Sequence, residues 1–181
     1  MKRLINTILI TLFSLAVLAL TIAFFINRTY SVSRSIVIYR ASPEVFNYIS
    51  LIRNQEEYSV WAKKDLLQIK KYTGTDGAVG FTATWDSKVN DIGKGELEIK
   101  KITPNKRIDM ELRFIKPFKA VHNANIEVTA LDEEESKVTW SFEGSKPYPM
   151  NLVLLFMNME KIVGDQLNAS LVNLKAKLEA K

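Results

Sequence analysis

The chain has no cysteine and a single histidine, His122, among its 181 residues. Without cysteine there are no disulfides and no thiolate metal sites. With one histidine and no cluster of carboxylates at ligand spacing, no zinc site is expected. No Gly-x-Ser-x-Gly elbow, phosphate-binding glycine loop or dinucleotide fingerprint occurs. Internal repeats and low-complexity tracts are absent too. Acidic residues are missing from the first 43 positions, since all 20 lie at Glu44 or later. Between Leu4 and Ile26 there is no charged residue of either sign.

That last absence says most. A helix over these 23 residues spans about 34 Å at about 1.5 Å per residue. A bilayer core is about 30 Å thick, so the segment is long enough to cross it. Lys2 and Arg3 precede the run, as in an export signal. A cleaved signal has an apolar core of about 7–15 residues ending in a small-residue site. Here the best cut, after Ala23, leaves Phe24, Phe25 and Ile26 at the new terminus, a poor start for a soluble domain. The expectation is therefore an uncleaved anchor over residues 4–26, with a cleaved signal and a buried helix as the alternatives. Residues 1–3 form a basic N-terminus, 27–31 a linker and 32–181 the folded domain. Lys2 and Arg3 against Arg28 favour an N-terminus inside and the domain on the extracytoplasmic side, although Arg34 is close enough to count against it. In an exported eukaryotic domain, Asn27-Arg-Thr and Asn168-Ala-Ser are candidate glycosylation triplets, the second on an expected helix.

The net charge of +5 suggests nucleic acid, but its distribution does not. From residue 29 onward 22 Lys and Arg face 20 acids, leaving the domain about +2. Basic residues come as scattered pairs (Lys63-Lys64, Lys70-Lys71, Lys100-Lys101, Lys106-Arg107) among acids. A phosphate-tracking surface concentrates basic charge on one face. No nucleic-acid partner is expected, and no protein partner can be named.

Within the domain, Val32, Arg34, Ile36 and Ile38 alternate with Ser33, Ser35, Val37 and Tyr39, which predicts a strand. Ser42-Pro43-Glu44 reads as a helix start, with Ser42 as cap and Pro43 in the first turn. Val45, Phe46 and Ile49 form that helix's apolar face, and a second short helix is expected over Leu51–Tyr58. Leu67 and Ile69 open a run of strands. Phe81, Ala83 and Trp85 alternate with Thr82, Thr84 and Asp86. Further strands follow over Glu96–Lys100, Ile108–Phe114, Ala120–Ala130 and Lys137–Glu143, with a turn over Asp132–Glu135. Alternation with short turns predicts an antiparallel meander with one face on a core. From Asn151 onward Leu152, Leu155, Phe156, Met159, Val163, Leu167, Leu171, Leu174 and Leu178 recur at helical spacing. Gly164 inside this helix costs about 1 kcal/mol against alanine, which points to close approach by a strand or ligand.

This order of elements resembles the helix-grip fold of the START-like (SRPBCC) superfamily, and within it the polyketide cyclase/dehydrase and lipid-transport branch. Ala41-Ser-Pro-Glu-Val-Phe46, Trp61-Ala-Lys-Lys-Asp65, Arg113-Phe-Ile-Lys-Pro-Phe-Lys119 and Leu154-Leu-Phe-Met-Asn-Met-Glu-Lys161, with Leu171-Val-Asn-Leu-Lys175, carry the resemblance over roughly residues 30–180. Members often have a second tryptophan just before the Trp61 equivalent, where this chain has Tyr58 and Val60. The resemblance implies an α+β fold: a curved antiparallel sheet of about seven strands around a long C-terminal helix, with two short helices after the first strand.

The resemblance also implies a cavity between sheet and helix. The inward candidates are Phe81, Trp85, Met110, Leu112, Phe114, His122, Ile126, Trp140, Phe142, Phe156 and Met159. An apolar lining with a few polar groups suits a small molecule, and Met157 and Met159 add adaptable thioethers. A closed core uses the same residues. His122 shares the parity of Ala124, Ile126 and Val128 and is the one weak catalytic candidate. Asp109 and Glu111 have outward parity, so neither orients it. No cofactor is expected. Three functions follow: a membrane-anchored binder of a hydrophobic small molecule or lipid, a cyclase/dehydrase-like enzyme, or an interaction module with a filled core.

Overall fold

The computed structural model describes residues 2–180. Helix α1 (Lys2–Phe25) comes first, long and apolar enough to cross a membrane, with only Ala23 of its length buried. Residues 26–28 separate it from β1 (Thr29–Ile38). The strand thus starts earlier than the expected linker allows, because Thr29 and Tyr30 already pair with Ser145 and Gly144.

Helix α2 (Ser42–Ser50) follows, with Pro43 in its first turn and Val45, Phe46 and Ile49 buried, as their spacing requires. The cap position is Ala41 and carries no side-chain bond, so Ser42 is the first helical residue and not the cap. The expected second helix is divided into a 3₁₀ turn (Ile52–Asn54) and α3 (Gln55–Tyr58), and α4 (Val60–Lys63) continues it. Then come β2 (Ile69–Thr73), β3 (Thr82–Asp86), β4 (Lys94–Thr103), β5 (Arg107–Lys116), β6 (Ala120–Ala130) and β7 (Ser136–Ser145). Leu67 stays outside β2 and is exposed.

The sheet is antiparallel throughout, in the order β1-β7-β6-β5-β4-β3-β2. A bulge between Ile99 and Lys101 lets β4 expose both Lys100 and Lys101. Helix α5 (Met159–Glu179) lies across the sheet's inner face, burying Val163, Gly164, Leu167, Leu171, Leu174 and Leu178. Each fully buried leucine contributes about 1.5–3 kcal/mol by transfer from water. The fold is thus the helix grip.

α5 begins later than its periodicity suggests. Residues Met150–Leu155 form a 3₁₀ turn, and Asn158 caps α5 by accepting from the Lys161 N–H at 2.9 Å. A side-chain cap satisfies a free amide and fixes the start of the helix there. Leu152, Leu155 and Phe156 therefore lie outside α5. The close approach expected at Gly164 comes from β1: a Cβ there would sit 2.1 Å from Arg34 Nη2. The Arg34 guanidinium crosses this gap, pairing with the Glu160 carboxylate and donating to its carbonyl at 3.0 Å.

Register defines two ends of the domain. The start of β1, the end of β7, the start of β6, the end of β5, the start of β4 and the end of β3 lie side by side. This is the end from which α1 emerges. At the opposite end Ile38, Ile108, Val128 and Val138 are fully packed.

Candidate functional site: a cavity in the α1 half of the inner face

The α1 half of the inner face is not filled. A cavity of about 470 Å³ lies between the sheet, the first turns of α5 and the short helices α3 and α4. Strand pairing builds its wall: Leu112 sits opposite His122, Met110 opposite Ala124, and Ala124 opposite Phe142. All five line the space. Deeper, Trp140 meets Tyr58 and Trp61 edge-on, each at 6.0 Å between ring centroids.

Two glycines admit rings that a side chain would displace. A Cβ on Gly95 would lie 2.4 Å from the Trp85 indole, and one on Gly144 would lie 2.3 Å from the Tyr30 ring. Trp85 is held by Nε1–H donation to the Ile92 carbonyl at 3.1 Å and by a T-shaped contact with Phe114 at 5.7 Å. Tyr30 reaches to 6.4 Å from both Phe142 and His122.

His122 sits among these rings, 5.4 Å from Phe114 and 5.3 Å from Phe142. The Ser145 N–H donates to its Nδ1 at 3.4 Å. Burial, and secondarily the Lys146 charge, hold its pKa below the usual 6.5. The imidazole is therefore neutral at pH 7, and with Nδ1 accepting, its proton resides on Nε2 as a donor. Burial also raises the Tyr30 phenol, which stays protonated. Lys146 completes a polar rim at the same end. Asp109 pairs with Arg107 and Glu111 with Arg113, so neither orients the imidazole. Among the described residues no group of three His, Asp or Glu could hold a metal ion.

Of the residues singled out from the sequence, Trp85, Met110, Leu112, Phe114, His122, Trp140, Phe142 and Met159 line the cavity. Phe81 and Ile126 do not. They point inward, but lie in the packed core, Phe81 stacked on Tyr72 at 6.1 Å. Phe156 is a correction: it lies between the 3₁₀ turn and α5 and is 84% exposed. Met157 lines a shallow hollow beside α1 and not the cavity. Sequence reasoning missed Tyr30, Trp61 and Tyr72, and the polar Gln55, Gln68 and Lys146. Tyr30 was accessible, since it continues the parity of Val32 and Ile36 by one step.

No protein-family profile matches the chain, and no curated protein sequence matches it. Solved structures do match. One is a protein from Nitrosospira multiformis, 15% identical, with a TM-score of 0.56, covering 82% of this chain and 95% of that one. Norcoclaurine synthase from Thalictrum flavum, in complex with dopamine and hydroxybenzaldehyde, is 12% identical with a TM-score of 0.60, covering 84% and 88%. Ara h 8.0201 is 10% identical with a TM-score of 0.57, covering 84% and 99%. At such identities the likeness establishes the fold alone.

Proposed function

We propose that this protein is a membrane-anchored module that binds a hydrophobic small molecule or lipid in the cavity between sheet and α5. The observation that carries this is the cavity itself, about 470 Å³ and walled mostly by aromatic and aliphatic side chains. Ligand sites are typically about 300–1,000 Å³, largely apolar, with a few placed polar groups. Polar groups punctuate this lining: Tyr30, His122 and Lys146 on one side, and Gln55, Gln68 and Gln166 from the short helices, the β2 approach and α5 on the other. Such a lining suits an apolar ligand that carries a few polar groups. Residues 4–26 act as the anchor, with the N-terminus inside and the domain on the extracytoplasmic side. The solved complex of norcoclaurine synthase holds two aromatic molecules, which supports ligand binding on this fold by analogy.

The main hydrophobic cluster contains no α1 residue and residues 29–181 hold every strand and α5, so the test is made on these residues, with the full chain in detergent as the control. Delipidated, this domain is titrated with cis-parinaric acid, and untreated preparations are extracted for mass spectrometry. Saturable one-to-one binding, or a retained apolar compound, is expected. No saturable binding of the probe and a clean extract would overturn the proposal.

A further inference from the structure

The segment joining β7 to α5 has a composition unlike the rest of the domain. From Pro147 to Met159 it holds no charged residue, and Met150, Leu155 and Phe156 are exposed there at 61%, 56% and 84%. It is also bound to the end of α1. The Asn151 side chain, fully buried, donates from Nδ2 to the Ala23 carbonyl at 2.6 Å and to the Ile26 carbonyl at 3.0 Å. The last carbonyls of a helix have no partner within it, and in an apolar surrounding an unpaired carbonyl is costly. Asn151 thus satisfies α1's end from another part of the chain. Tyr148 adds a longer contact, its O–H 3.4 Å from the Leu20 carbonyl.

One neighbouring turn at this end also exposes an apolar ring. Phe118, in the β5–β6 turn, is exposed between Lys116 and Lys119, and Arg28 lies over the Tyr148 ring. The opposite end carries the acidic turn Asp132–Glu135. Exposed apolar groups edged by basic ones suit an anionic lipid surface. A hollow lined by Ile26, Leu154 and Met157 adjoins the cavity, since Tyr30 and Met159 line both.

We propose that residues 147–157 are a second membrane contact, clasped to α1 through Asn151, which seats the α1 end of the domain on an anionic bilayer. This rests on the anchoring proposed above. The occupant of the face is lipid, because the face continues directly from the carbonyl end of a helix long and apolar enough to cross a membrane.

The absence of native cysteine makes the test direct. The full chain carrying Leu12→Cys, Phe156→Cys or Leu131→Cys is labelled with nitrobenzoxadiazole and placed in phosphatidylcholine–phosphatidylglycerol vesicles. Quenching by doxyl-labelled lipid is then read. Leu131 sits in the far-end turn and serves as the control. The expected result is several-fold stronger quenching at Leu12 and Phe156 than at Leu131. Adding Asn151→Leu should lower the Phe156 signal towards the control while leaving Leu12 and the circular dichroism spectrum unchanged. Quenching at Leu12 with Phe156 equal to Leu131 overturns the second contact and leaves the anchor standing. No quenching at Leu12 overturns both. Disulfide-linked dimers of unlabelled Phe156→Cys would assign the face to a second copy of the chain, and unaltered Phe156 quenching with Asn151→Leu would refute the clasp.

Discussion

Ala124→Leu separates a ligand cavity from a packed core by the sign of its effect. Ala124 lies in the middle of β6, opposite Met110 and Phe142, and lines the cavity while being only 5% exposed. In a close-packed interior, larger side chains force neighbours off their rotamers and typically cost about 1–3 kcal/mol. Facing open volume, the three added carbons are buried without displacing anything. At about 0.8 kcal/mol per buried methylene that is a gain of about 2 kcal/mol, or roughly 4–8 °C in Tm for a domain of this size. The same carbons occupy space a ligand needs, so parinaric acid should bind more weakly. Urea and thermal unfolding of residues 29–181, followed by tryptophan fluorescence, measure the first effect, and titration measures the second. A lower Tm with unchanged probe binding would show that the volume beside Ala124 is not available to ligand, and would refute the cavity argument at its centre.

Three further predictions follow from named contacts. His122 has its pKa depressed in the folded state, so protonation favours the unfolded chain. Its neutral state imposes no penalty above about pH 6.5, and stability falls as pH drops from there towards the native value, by up to about 1.4 kcal/mol per pH unit. Urea denaturation of His122→Phe should lack this slope between pH 7 and 5.5, a range above that in which the depressed carboxylates Asp65, Asp86 and Glu98 titrate. Lys146→Met should weaken binding of a fatty acid more than of the matching fatty alcohol, and equal losses by titration would remove Lys146 as a contact to the polar group. Gly164→Ala gains about 1 kcal/mol of helix propensity but displaces the Arg34 guanidinium and its bonds to Glu160, about 1 kcal/mol in the other direction. It should be near neutral alone and stabilising in an Arg34→Ala background, as a double-mutant cycle in urea would read.

The sheet was legible because each long strand alternates cleanly and its turns are short. Ile108, Met110 and Leu112 could face only one way, and pairing of β5 with β6 then carries Ala124 and His122 to the same face. The start of α5 was not legible. Leu152, Leu155 and Phe156 keep helical spacing across a 3₁₀ turn, and apolar spacing does not register where Asn158 caps a new helix. That error put Phe156 in the cavity. Phe81 and Ile126 fail for a different reason: parity gives the face of a strand, not the position along the sheet where α5 and the short helices have already closed the core. Trp61 and Lys146 lie in a four-residue helix and just beyond a strand end, where no period operates. Trp61 reaches the site by meeting Trp140 from a distant strand, and Lys146 is placed by its N–H donating to the Arg28 carbonyl.

The orientation of the cavity relative to α1 is a consequence of topology more than of any single side chain. In an antiparallel meander successive turns alternate between the two ends of the sheet. β1 and β7 are neighbours here, so the connection from α1 into β1 and the connection from β7 into α5 leave from one end. That is the end where Tyr30, His122 and Lys146 line the cavity. Only residues 26–28 intervene between α1 and β1, and three residues extend at most about 11 Å. A bilayer-spanning α1, as proposed, would keep the domain close to the bilayer, and the Asn151 bonds to the Ala23 and Ile26 carbonyls tie its end to the β7–α5 segment. On the proposed anchoring, an apolar ligand would therefore leave lipid and meet the polar rim within a distance set by the chain itself.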